Sequence, residues 1–291
     1  MKTYDVSKDL YLIRQFYRLT QDQLAREIGT TRLNIVRWEK SYCFPRASEL
    51  ERIYSFAFKE EGIPLDINRA KEMLYADNKG SRVLLFHGTD TNIVSDPDNN
   101  HSTPPNDFGA GFYLGESLLQ AATWVNERPG ASVYVFYLNL DQSLRKATFS
   151  VDRRWMNAIL YYRGALDGYI LDAATQEIID EVERSDYLIA PIADNQMYDI
   201  LAMFKRGEIT DEACVRSLSC SNLGYQYVLK SERVFRYLEC VDRLYLCEKE
   251  KRRYQEQKTT QARDSENKAQ LARITYRREG KYFDELYKKR G

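Results

Sequence analysis

Two short stretches of this chain combine residue types that could do chemistry. In the first, an apolar run, Val83-Leu84-Leu85-Phe86, ends in His87-Gly88-Thr89. In the second, Asp107-Phe108-Gly109-Ala110-Gly111-Phe112-Tyr113-Leu114 sets two glycines just ahead of an aromatic strand. A glycine at a strand end lets a ligand come close to the backbone, because no Cβ stands in the way. A histidine or tyrosine beside it can then hydrogen-bond or stack. Taken singly, His87 reads as a satisfied strand-end histidine and Tyr113 as a core aromatic. Together and in this order they point to a ligand site built on two strand ends. A long polar loop rich in Asn, Asp, Ser and Pro joins them. A loop of that length is functional or unstructured. His101 within it is expected to be a solvated loop histidine.

The order His-Gly-Thr followed by Asp-Phe-Gly-x-Gly-Phe-Tyr resembles the ADP-ribosyltransferase superfamily, and within it a bacterial branch long described only as a domain of unknown function. The resemblance spans about Val83 to Leu238. Tyr187 to Asp194 matches its strand ending in Pro-x-Ala-Asp, and Tyr225-Gln226-Tyr227-Val228 matches its third site. The resemblance implies a split, mostly antiparallel sheet with peripheral helices, and NAD as co-substrate. It implies that His87 bonds the adenosine ribose and Gly88 the nicotinamide amide, with Thr89 beside them. Tyr113 would stack on the nicotinamide ring, with Phe108, Gly111 and Phe112 lining the pocket. Gln226 would hold the nicotinamide ribose. The implied catalytic set is His87, Tyr113 and Gln226.

Cleaving the nicotinamide–ribose bond builds positive charge on the sugar, as glycoside hydrolysis does. Most transferases of the superfamily place Glu at the third site. Gln226 can hold a hydroxyl in geometry but cannot take a proton. An acceptor must then be nucleophilic already or be deprotonated elsewhere, and Asp107, Asp194 and Glu232 are candidates by position only. Without the two upstream motifs, Gln226 would read as a surface strand residue. Trp155 and Arg163, on a helix from Arg153 to Arg163, are expected to pack and solvate that helix.

Upstream, residues 9–75 read as helical. Leu10, Ile13, Phe16 and Tyr17 recur at helical spacing. Thr20 with Gln23 three residues on is a capping box, and Gly29 stops that helix. Thr30 or Thr31 opens the next, with Leu33, Ile35 and Trp38 for the core. The pattern Leu19-Thr20-Gln21-x-x-Leu24-Ala25-x-x-Ile28-Gly29, then Ile35-x-x-Trp38-Glu39 and Pro45, resembles the Cro/lambda-repressor helix-turn-helix. It departs at Ser41, where that family has Gly. The second helix of such a unit lies in the major groove. Its exposed face offers Thr31, Arg32, Asn34 and Arg37, with Gln21 at the start of the preceding helix as a further DNA contact. A bundle used only for docking or dimerisation is the plainer alternative.

The expected fold class is α+β in three parts: a helix-turn-helix bundle over 1–76, an ADP-ribosyltransferase-like domain over 82–246, and a charged, partly helical tail over 247–291, with a polar linker at 76–81. Asp66 to Ala76, Ser117 to Val125, Gln196 to Lys205, Thr210 to Leu218 and Glu232 to Leu238 read as helices. Val133–Leu138, Leu188–Pro191 and Tyr225–Leu229 read as strands.

The chain has 291 residues, 43 basic and 43 acidic, so net charge names no partner. Its distribution is uneven: +2 over residues 1–72, −9 over 73–248 and +7 over 249–291. A charge run such as the tail is expected to be a solvated face. Five cysteines without a CxxC pair, and only 2 histidines, argue against a metal site. With no leader pattern and no membrane-length apolar run, a cytoplasmic protein is expected.

The leading expectation is an NAD-dependent ADP-ribosyltransferase coupled to a DNA-binding module, a toxin or defence effector modifying protein or nucleic acid. An antitoxin partner or a homodimer would fit such a chain. The alternatives are a catalytically inactive transcriptional regulator that senses NAD or ADP-ribose, and a plain interaction protein.

Overall fold

The computed structural model describes residues 2–58, 63–99, 101–102, 105–193, 195–221 and 223–290. In chain order the helical region holds α1 (Val6–Tyr17), α2 (Gln21–Glu27), α3 (Arg32–Glu39), α4 (Ala47–Ala57) and α5 (Ile67–Asn78). Next come β1 (Val83–Thr89), β2 (Phe112–Gly115), α6 (Leu118–Val125), β3 (Ser132–Leu138), β4 (Lys146–Thr148), α7 (Arg153–Tyr162), α8 (Ala173–Arg184) and β5 (Tyr187–Pro191). The chain closes with α9 (Asn195–Lys205), α10 (Asp211–Leu218), β6 (Tyr225–Leu229), α11 (Glu232–Phe235), β7 (Leu238–Tyr245), α12 (Glu248–Thr275) and α13 (Phe283–Leu286). The architecture is α+β, and no described helix is long and apolar enough to cross a membrane.

These elements form two compact units. The first comprises residues 1–94, 117–138 and 239–256. Its helices start where side chains can cap them. Thr20 accepts from the Gln23 amide while Gln23 reaches back to the Thr20 amide, and Thr31 caps α3. Leu10, Ile13, Leu24, Ile35 and Ile53 are fully buried, and Cys247 joins that core. In the same unit β1 runs antiparallel to β3, Val83 opposite Leu138 and Thr89 opposite Ser132, and β3 borders β7. Helix α6, started by a Ser117–Gln120 capping box, lays Ala122 and Val125 against Phe86, Val133 and Val135.

The second unit comprises residues 95–116, 139–238 and 257–291. Its strands lie in the order β4-β5-β6-β2. The β4–β5 pair is parallel and the other two pairs are antiparallel, so the pairing is mixed. Trp155, Phe149, Phe108 and Phe204 are the large buried side chains of its core.

Several expectations need correction. Leu33 is 55 % exposed, so it does not join the core. The segment 76–81 is no simple linker, because α5 continues to Asn78. The helix expected over Glu232–Leu238 stops at Phe235, and Leu238 begins strand β7. The tail is not wholly solvated. Helix α12 runs 28 residues, and Tyr254, Ala269, Phe283 and Tyr287 are buried. Few apolar positions suffice there because only short stretches at its ends are covered. Ser41, in place of the expected glycine, adopts φ +56°, the left-handed conformation that glycine favours.

Candidate functional site

The second unit gathers the Asp-Phe-Gly motif and Gln226 into one cluster. Antiparallel pairing of β2 with β6 sets Gly115 opposite Gln226 and Tyr113 opposite Val228. Gln226 is buried. Its Nε2 donates to Asp107 Oδ2 at 3.1 Å and to the Pro191 carbonyl at 3.1 Å. Both amide hydrogens are thereby used, which leaves Oε1 as the acceptor of that side chain. The other Asp107 oxygen accepts from Arg163, 3.1 Å from Nε and 2.8 Å from Nη2, and from the Tyr198 hydroxyl at 2.6 Å. Arg163 also donates to the Tyr198 oxygen, and its guanidinium lies 4.0 Å from that ring's centroid. A buried carboxylate is thus balanced by one guanidinium and held by hydrogen bonds from three side chains.

The motif loop is clamped from several sides. The Tyr113 hydroxyl donates to the Gly109 carbonyl at 2.7 Å and accepts from the Phe108 amide at 3.1 Å. Burial pushes the Tyr113 phenol well above its ordinary range, so it stays protonated. Lys230 Nζ donates to the Phe108 carbonyl at 2.8 Å, and burial lowers the pKa of that amine. Ser102 Oγ accepts from the Gly111 amide at 3.3 Å. His101 is exposed, yet its ring sits edge-on to Phe112 with centroids 5.0 Å apart.

The glycines answer to packing inside the protein. A Cβ at Gly111 would lie 2.7 Å from Val228 Cγ1 and 3.1 Å from the Leu229 carbonyl. Gly109 takes φ +72°, and a Cβ there would meet Tyr162 at 3.0 Å. On β1, in the first unit, a Cβ at Gly88 would lie 2.2 Å from the Ala121 carbonyl of α6. The close backbone approaches expected at these positions are therefore filled by the fold's own elements.

The other sequence candidates fall as follows. His87 is partly exposed on β1, opposite Tyr134, and Thr89 is buried with its hydroxyl accepting from the Thr91 amide at 3.1 Å. The rings of Phe108 and Phe112 are fully buried, Phe108 packing against Phe149 and Phe112 facing Phe235. They can wall a site more readily than touch a ligand. Glu232 is exposed at the start of α11, and Asp194 lies outside the described residues. Trp155 is a core residue, as expected, whereas Arg163 belongs to the cluster. Tyr198 and Lys230 carry no sequence signal of their own, because each reaches the motif only through folding.

In the helical region Thr31, Arg32 and Arg37 are exposed along α3. Gln21 and Asn34 are already engaged, Gln21 Nε2 donating to Glu39 at 2.6 Å and Asn34 Nδ2 to Thr30 at 3.0 Å. Glu39 is in turn paired with Arg14 at 2.6 Å.

A family model matches residues 83–240, a span that takes in β1, the motif loop and β6. Its description is "Protein of unknown function (DUF3990)". The chain belongs to the DUF3990 family. No curated protein and no solved structure matches it. The DUF3990 domain thus contains every residue of the Asp107–Arg163–Tyr198–Gln226 cluster.

Proposed function

We propose that the DUF3990 domain binds NAD and transfers its ADP-ribose to a macromolecular acceptor, and that the N-terminal helices bind DNA. The observation that carries this reading is the fixed orientation of Gln226. With its amide hydrogens spent on Asp107 and Pro191, its Oε1 is the atom left to accept from a ribose hydroxyl. Two further residues suit this reading. Tyr113 has its hydroxyl tied into the loop, which fixes the orientation of its ring beside the motif. His87, partly exposed on β1, falls within the family domain. On the resemblance, these residues bind and orient, and the chemistry is breakage of the nicotinamide–ribose bond in NAD itself.

One observation favours the sensor reading as the second choice. Gln226 cannot take a proton, and the Asp107 carboxylate is committed to Gln226, Arg163 and Tyr198. An NAD-binding regulator without transfer would need no base.

Calorimetry with NAD on the intact chain and on Gln226→Ala tests the binding step. Heat of binding lost in the variant supports the reading, and equal binding by both contradicts it. For the helical region, the exposed Arg32 and Arg37 on a Thr31-capped helix support groove binding. Selection of a duplex site that Arg32→Ala and Arg37→Ala abolish is the expected result. Selection untouched by both would leave α3 without that role.

A further inference from the structure

An open cleft lies in the second unit, lined by none of the residues of the Asp107 cluster. It is a cleft of about 720 Å³ between the end of α9 and the last turn of the chain. Four cationic residues line it, Lys205, Arg206, Lys288 and Lys289, against one acidic residue, Asp284. Arg206 is paired with Glu208. Among the described residues, Lys205, Lys288 and Lys289 form no ion pair with a carboxylate, and all three are exposed. Their charge is therefore available to an anion. Tyr282 stands at the same cleft with 42 % of its surface exposed.

The cleft is built rather than incidental. The final segment is stitched to residues 168–170. The Ile170 amide donates to the Lys288 carbonyl at 2.8 Å, the Arg290 amide to the Gly168 carbonyl at 2.8 Å, and Tyr169 pairs with Lys289. Phe283 forms the floor, edge-on to Tyr169 at 5.2 Å and to Phe204 at 5.4 Å. Tyr287 is fixed by its hydroxyl, which donates to Asn157 at 2.7 Å. The lysine backbones and the aromatic walls are thus held before any ligand arrives, which lowers the cost of binding one.

We infer that this cleft is a nucleotide site, taking a phosphate on Lys205, Lys288 and Lys289 and an unpaired base against Tyr282. Unpaired cations beside an exposed aromatic face are the combination that binds single-stranded nucleic acid. A duplex hides its bases, and an open cleft with an exposed ring can meet a splayed base instead. The same chemistry is offered by a free nucleotide and by a stretch of single strand. The inference does not depend on the NAD reading of the Gln226 cluster.

The test uses the full chain carrying Arg32→Ala and Arg37→Ala, so that α3 contributes no nucleic-acid binding. Anisotropy of a fluorescent single-stranded oligonucleotide of about 12 residues, within the usual footprint of such sites, is followed across a salt series. Unlabelled AMP and polyglutamate serve as competitors. The expected result is binding that weakens at least about tenfold when Lys205, Lys288 and Lys289 are changed to Ser, with the salt slope reduced by about two. Tyr282→Ser is expected to weaken binding by about tenfold at an unchanged salt slope, because stacking releases no counterions. The substituted side chains are exposed, and unchanged unfolding midpoints check the fold. Competition by AMP as strong as by the oligonucleotide assigns the cleft to free nucleotides and supports the inference. Binding by neither, binding indifferent to the three lysines, or equal competition by polyglutamate overturns it.

Discussion

Gln226 on β6 donates to the carboxylate of Asp107 at 3.1 Å, joining two positions 119 residues apart in the chain. That bond ties the motif ahead of β2 to the strand that β2 pairs with. Asp107 is the hub, because Arg163 and Tyr198 meet on its other oxygen. Asp107→Asn keeps the shape and removes the charge. Arg163 then loses its counter-ion, and the side-chain amide presents hydrogens where acceptors are needed. Arg163 keeps some solvent contact, so the expected loss is about 2 kcal/mol, below the cost of a fully buried broken pair. Denaturant unfolding measures it, and a loss under about 0.5 kcal/mol would mean that Asp107 is not the hub.

Tyr113 has two separable jobs. Its hydroxyl bridges Gly109 and Phe108, and its ring packs partly against the core and would stack on the nicotinamide in the proposed function. Tyr113→Phe removes only the bridge and is expected to cost about 1–2 kcal/mol of stability while retaining NAD binding. Tyr113→Ala should lose that binding. Calorimetry on both variants reads the difference, and equal loss in the two would assign the effect to the loop clamp alone.

Gly88 answers to helix packing. A methyl group there would sit 2.2 Å from the Ala121 carbonyl, a backbone atom that cannot move aside without shifting α6. Gly88→Ala is expected to destabilise the chain by about 3 kcal/mol, the upper range of overpacking. An unfolding midpoint equal to that of the parent would show that α6 yields.

Glu250 gives stability a pH dependence. It is buried against Asn68 and Tyr254, with Asn68 Nδ2 at 2.9 Å from one carboxylate oxygen and the Tyr254 hydroxyl at 3.2 Å from the other. Burial, reinforced by the charge of Asp66, pushes its pKa to about 8. The folded chain therefore binds more protons than the unfolded chain between the ordinary carboxylate range and pH about 8. Stability is fully present below that window and falls as pH rises through it, by up to about 1.4 kcal/mol per pH unit. Glu250→Gln should flatten the profile. Urea unfolding at several pH values checks the sign, and stability that rises across the window would refute it.

Ser41 holds a left-handed conformation in the turn after α3, where its amide donates to the Trp38 carbonyl at 3.0 Å. Ser41→Gly relieves that conformation but loosens the unfolded chain. The net expectation is a gain of under about 1 kcal/mol, read from the thermal midpoint.

What was legible in the sequence was what is local. The Thr20–Gln23 and Ser117–Gln120 boxes, the apolar run of β3 and the Thr210 cap of α10 are each set by neighbours in the chain. Strand β7 was hidden because its buried face carries Asp242, whose carboxylate is met by Lys71 at 3.1 Å, the Tyr75 hydroxyl at 2.7 Å and the Arg243 amide at 2.8 Å. A charged inward residue erases the alternation that marks a strand. Strand β4 has three residues, too few for any pattern. Helix α8 does carry a regular signal, Ile178, Ile179 and Val182 behind an Asp172 cap, but none of its residues belongs to a motif. Within the site, Asp107, Tyr113 and Gln226 were visible as motif residues. Tyr198 and Lys230 were not, since only tertiary contacts bring them to the motif loop.

Whether this DUF3990 domain consumes NAD, as proposed, is tested most directly by the fate of the labelled co-substrate. The purified 291-residue chain is incubated with isotopically labelled NAD, and free nicotinamide and label on macromolecules are followed against His87→Ala, Tyr113→Ala and Gln226→Ala. The expected result is nicotinamide release by the parent, lost in the His87 and Tyr113 variants, with label appearing on a protein or nucleic-acid fraction. No release by the parent in the presence of cell extract would contradict it, and NAD still bound by calorimetry would then assign the domain to sensing.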